Sequence, residues 1–244
     1  MILKLELKKL RRTGIVLFIL AAAAAAALFP VINMAARSEM FVHQRDTPLN
    51  ILLDANWQLM AMINLLFLLC AASLIFHTEF ADNAASKMDA LPISAPRMFL
   101  GKLTILVLAA GISLLIEFAS LAFCLARWYG QTLFSPEVLI LMLKNLAFSW
   151  ALLLPSCTLL LVIASIFRNM WISLGIGVIG IFTATMIPSF SSLKALTLFP
   201  LALPFQSLGD GALAPGAARL LMAALMETIV FLAGEIIFIH LRRR

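Results

Sequence analysis

Four ionisable residues, Glu117, Lys144, Glu227 and Glu235, interrupt otherwise apolar stretches of this chain. A charge at the centre of a bilayer costs roughly 2.5 to 3.5 kcal/mol on insertion scales, so such a group faces protein or water. Glu117 lies about nine residues from the near end of its apolar run, and Lys144 about six from the start of the next. At 1.5 Å per residue their depths differ by only ~5 Å, and the two are expected to form an ion pair or to flank a transport path. Glu227 falls near the middle of the last apolar run, with no evident partner. Glu235 lies within two turns of Arg242 and Arg243.

Other reactive residue types give no catalytic pattern. His43, His77 and His240 are isolated, and Cys70, Cys124 and Cys157 form no CxxC pair, so the cysteines read as small packing residues. Gly175, Gly177 and Gly180 spell G-I-G-V-I-G, formally a dinucleotide fingerprint, but no strand precedes them and no acidic partner follows. Close helix packing is the expected use of these glycines. The chain has no GxxxxGK[ST], HExxH or GxSxG motif. No catalytic residue, no metal site and no cofactor is expected in it.

The elements that must carry these residues follow from composition. The 244 residues are 63% hydrophobic and 12% charged, whereas soluble domains are about a quarter charged. At ~20 residues per span the length accommodates six membrane helices and little else. The expected fold is an all-α polytopic membrane protein with one membrane domain over 14–241. Its spans are placed at about 14–34, 57–77, 103–126, 138–167, 171–187 and 217–241. Residues 1–13 carry Leu3, Leu7 and Leu10 on one face and Lys4, Lys8 and Arg11 beside them, the pattern of an interfacial amphipathic helix. The apolar run that follows is too long for a cleaved signal and is expected to be retained. The polar stretch 37–56 reads as a loop. Pro155 is expected to kink the fourth span. Residues 189–215 are too oily for a solvated loop and read as a partly re-entrant hairpin, and 242–244 as a tail.

The formal charge of +6 does not point to nucleic acid, because the basic residues are placed as membrane topology places them. Twelve of the 18 Lys and Arg fall on the side of the termini and of residues 78–102, five fall on the other side, and Lys144 lies within a span. Both termini and the 78–102 loop are therefore expected to be cytoplasmic.

Within that loop, Asp82 to Ala90 has the pattern of a two-turn amphipathic helix. Met88 and Leu91 would be its oily knobs and Asp82, Lys87 and Asp89 its rim charges, with Pro92 and Pro96 ending it. Glu79 follows the second span, Leu91, Pro92, Ile93 and Ser94 form the turn, and Gly101 and Lys102 open the third span. This order resembles the membrane subunits of ABC-2 type exporters, most of all the permeases that protect bacteria from lantibiotics and related peptides. Ala85 or Ser86 stands where that family usually has a bulky aromatic. The resemblance implies a separate cytoplasmic ABC ATPase that docks on Glu79, Asp82, Lys87, Met88, Asp89, Leu91, Pro92 and Lys102. It also implies ATP and Mg bound on that partner, a second permease subunit, like or related, and a peptide substrate taken from the plasma membrane of a bacterium. Rival readings are export of a drug, haem or glycan by the same mechanism, an intramembrane enzyme, and a membrane scaffold.

Overall fold

The computed structural model describes residues 14–80, 94–130, 135–167, 169–187, 197–208 and 215–242. They form six helices: α1 Ile15–Val42, α2 Pro48–Phe80, α3 Ala95–Tyr129, α4 Pro136–Ile166, α5 Met170–Met186 and α6 Pro215–Arg242. A 3-10 turn, Leu203–Phe205, sits between α5 and α6. No strand occurs among the described residues. Five of the helices are long and apolar enough to cross a membrane, while α5 is apolar but has only 17 residues. At 1.5 Å per residue it extends ~25 Å, the lower limit for a span.

Local chemistry sets the helix ends. Proline lacks an N–H that the first helical turn does not need, and Pro48, Pro96 and Pro136 all occupy first turns. Asn169 caps α5 by accepting a hydrogen bond from the Trp171 backbone N–H at 3.0 Å. Gly130 closes α3 at φ 62°, a left-handed conformation suited to glycine, and its N–H returns to the Leu125 carbonyl.

Three sequence expectations need correction. The stretch 37–56 is not one loop: α1 continues to Val42 across a break at Arg37 (φ −138°, ψ 26°), and α2 begins at Pro48. The polar residues there conceal buried Leu49, Ile51, Leu52 and Leu53, which hold the start of α2 against the bundle. The 78–102 loop is shorter than expected, because α2 reaches Phe80 and α3 starts at Ala95. Pro96 opens α3 rather than closing a preceding helix. The expected helices at 1–13 and 82–90, and the tail 243–244, lie outside the described residues.

The helices alternate in direction. Asn33 of α1 meets Asn56 of α2, and Phe18 meets Phe67, so these two helices run antiparallel. Lys102 of α3 reaches Phe76 of α2 and Ser173 of α5 meets Ser73 of α2, both antiparallel pairings, while Ala164 and Phe167 at the end of α4 line one cavity with Ser73 and Phe76, which sets α4 parallel to α2. Ser165 of α4 and Glu235 of α6 meet near the ends of two parallel helices. One end of the bundle thus carries the 43–47 junction and the other the end of α2 and the start of α3.

At the centre stands α2, which packs on α1, α3, α4 and α5 and is the most buried of the long helices; α6, packed mainly on α4, is the least buried. The glycine motif serves packing here. A Cβ on Gly177 would run into the Leu69 side chain and one on Gly180 would crowd Leu201, whereas Gly175 faces open space. Gly177 and Ser173, one turn apart, therefore form the flat face by which short α5 lies on α2. Forcing a methyl into such a contact typically costs about 1–3 kcal/mol. Gly177→Ala should lower the thermal unfolding temperature of the detergent-solubilised protein, and Gly175→Ala should leave it unchanged or raise it; equal effects would contradict this seam.

Candidate functional site

Lipid tails are as apolar as leucine, so helices in a membrane are selected by close packing and interhelical hydrogen bonds. The bundle carries such bonds along α2. Asn33 Nδ2 donates to Asn56 Oδ1 at 2.8 Å, joining α1 to α2, and Asn56 Nδ2 bonds back to the Leu52 carbonyl at 2.8 Å. Trp57 Nε1 donates to the Pro204 carbonyl at 3.0 Å, and Ser73 and Ser173 hydroxyls meet at 3.3 Å.

The densest cluster lies between α2 and α3. Asn64 Nδ2 donates to Glu117 Oε2 at 2.9 Å. Ser113 Oγ lies 2.8 Å from Asn64 Oδ1 and 3.1 Å from Glu117 Oε1, sharing its hydrogen between them. Ser113 and Glu117 are one turn apart on α3 and so present one face to α2. Glu117 is completely buried, and Asn64 and Ser113 are nearly so. Ser120 of α3 then donates to the Ala27 carbonyl of α1 at 2.6 Å. Each side of the triangle α1, α2, α3 therefore carries a polar bond.

Glu117 and Lys144 are not brought together. Glu117 takes its hydrogen bonds from neutral Asn64 and Ser113, while Lys144 is exposed on α4. Their depths are similar, but α4 turns Lys144 outward, where its long stem can carry the ammonium toward the end of the helix ~12 Å away. Glu235 is buried and accepts from Ser165 Oγ at 2.9 Å. Glu227 lies on α6, half-buried among exposed Met222, Met226 and Val230, and its Oε2 has no hydrogen-bond partner among the described residues.

Of the expected docking residues, Asp82, Lys87, Met88, Asp89, Leu91 and Pro92 lie outside the described residues. Glu79 falls in the last turn of α2. Lys102 is 2% exposed, with Nζ 5.2 Å from the centre of the Phe76 ring. The sequence reading missed Asn33, Asn56, Asn64, Trp57 and Ser113. Their signal was available, because an amide inside a run such as MINLLFLLC needs a partner as a carboxylate does.

Residues 200–204, within the connection between α5 and α6, fold into the bundle. Pro200 accepts from Ser156 Oγ at 2.6 Å, Leu201 lies against Gly180, and Leu201, Ala202, Leu203 and Pro204 are buried. Trp57, which holds Pro204, is ~14 Å along α2 from Pro48. Among the described residues no group of His, Cys, Asp or Glu is arranged to hold a metal.

A bundle of long apolar helices of alternating direction, tied by buried amides and hydroxyls, defines a multi-pass helical membrane protein. The chain belongs to the ABC-2 family of transporter proteins: that family's model matches residues 2–184, from before α1 to the last turn of α5. Comparison with curated proteins and with solved structures returns no match. Membership makes the chain a permease component of an ABC exporter and implies an ABC ATPase partner.

An ion pair between Glu117 and Lys144 would couple their substitutions energetically. Without one, Lys144→Met should change stability by less than about 0.5 kcal/mol, as exposed substitutions do, and by the same amount when Glu117 is already Gln. A coupling well above that value in the four-variant cycle would restore the pair.

Proposed function

We propose that this chain is the permease subunit of an ATP-driven exporter that removes an antimicrobial peptide of the lantibiotic or bacteriocin type from the membrane, protecting a bacterial cell. The observation that carries the reading is the ABC-2 match over residues 2–184, which contains the whole segment from Glu79 to Lys102. On this reading six helices cross the plasma membrane, with both termini and the 81–93 junction in the cytoplasm. The alternating direction of all six helices supports that count, and the basic residues gathered at the same end support the orientation.

The permease works with a second permease subunit, identical or related, and two ATPase copies. ATP and Mg reside on the ATPases, and this chain contributes no catalytic group. Met88 and Leu91 insert as oily knobs into an ATPase groove, with Glu79, Asp82, Lys87 and Asp89 at its rim and Pro92 stiffening the turn. Closure of the ATPases pushes the 81–93 segment, and the permease alternates between inward and outward states. Glu227 suits a cationic peptide arriving from lipid, because it lies half-buried on the least buried long helix and its buried Oε2 has no hydrogen-bond partner among the described residues.

Met88→Asp and Leu91→Asp should each leave the permease in the membrane while abolishing co-purification with the ATPase; intact co-purification with both changed would contradict the docking. Glu227→Gln preserves shape and removes charge, and should lower protection against a cationic lantibiotic without changing melting temperature or assembly. Unchanged protection by a stable complex would remove Glu227 from the path. A complex that exports a drug, haem or a glycan but gives no peptide protection would replace the substrate class and keep the mechanism.

A further inference from the structure

Lys102 is a buried cation beside a transmitting element. It lies seven residues after Ala95 at the start of α3, and Phe76 lies four before Phe80 at the end of α2. These two helix ends are the roots of the 81–93 segment. A lysine so near a helix end ordinarily extends its ammonium toward water, yet this one is 2% exposed and holds Nζ over the Phe76 ring at 5.2 Å from its centre. The ring face attracts a cation, and more strongly where water is excluded. The polar bond from Asn64 to Glu117 lies twelve residues from Phe76, ~18 Å along α2, too far to fix the spacing at the roots. On its other side the same stretch of α2 is tied to α5 through Ser73 and Ser173.

We propose that Lys102 and Phe76 form a strut across the base of the 81–93 segment, holding α2 and α3 at a fixed spacing so that a force applied to the segment moves both helices together. Lys102 is then a positioning residue that acts inward on Phe76 and does not touch the ATPase. The origin of the force rests on the docking reading given above; the strut itself rests on the burial and the ring contact.

The test places spin labels at exposed His77 and Arg97, in a chain whose three native cysteines are replaced. The distance between them is measured in nanodiscs for the complex with its ABC ATPase, nucleotide-free and trapped with ATP and vanadate, and for the permease alone. The unsubstituted strut should give a narrow distribution that is the same in every state. Lys102→Met, which keeps the stem and loses the charge, and Phe76→Leu should broaden it, while Lys102→Arg and Phe76→Trp should restore the narrow one. A root distance that shifts on trapping with the strut intact would overturn the proposal. So would narrow distributions in Lys102→Met and Phe76→Leu, or broadening that Lys102→Arg does not rescue. If Lys102→Met fails to fold, the Phe76→Leu and Phe76→Trp pair decides alone. Failure of the docking reading is seen separately, as ATPase retention by the Met88→Asp and Leu91→Asp variants, and leaves the root distances readable on the permease by itself.

Discussion

Inside a bilayer an apolar side chain gains little by leaving lipid for protein, so a hydrogen bond that lipid cannot offer becomes the means of choosing a neighbour. The arrangement of α2 follows from that constraint. Asn56, Trp57, Asn64 and Ser73 are spread along its length and each meets a different element: α1, the α5 to α6 connection, α3 and α5. Interhelical bonds of this kind average about 0.6 kcal/mol each in membranes. Their larger effect is on register, because sliding a helix by one residue would strand a buried amide or carboxyl.

Short α5 depends most on this arrangement. Its 17 residues offer little surface, and it is held by Gly177 against Leu69, by the Ser173 hydroxyl and by Leu201 lying over Gly180. The buried connection completes the contact, tied by Ser156 and Trp57 to the Pro200 and Pro204 carbonyls. The prolines' own carbonyls accept these bonds, since an irregular segment inside a bundle must satisfy its backbone from side chains. Polar bonds close each side of the α1, α2, α3 triangle, away from the ends of α2 and α3 that flank 81–93, and α6, packed mainly on α4, holds Glu227 half-buried.

Hydropathy in the sequence located each of the six described helices, because runs of ~20 apolar residues admit few other structures. It placed helix ends less well. The stretch 37–56 is polar by count, yet Leu49, Ile51, Leu52 and Leu53 cluster within it and bury, and Pro48 marks a helix start as readily as a loop. Glu117 was legible as a residue needing a partner; its partner was not. Depth along two helices constrains one coordinate, while rotation about each axis decides contact, and rotation turns Asn64 toward Glu117 and Lys144 away from it. Lys102 was legible only through family resemblance, which pointed outward to an ATPase where the structure turns the side chain inward to Phe76.

The buried bond network between α2 and α3 selects their pairing. The direct measurement is a double-mutant cycle on Asn64→Leu and Glu117→Leu, read by equilibrium unfolding of the protein in lipid. Each single change leaves one buried atom, Glu117 Oε2 or Asn64 Nδ2, without its partner while Ser113 still bonds the remaining residue, an effect of about 1–3 kcal/mol. The account predicts that the double variant is destabilised by clearly less than the sum of the two single changes. Strict additivity, or singles without effect, would contradict it.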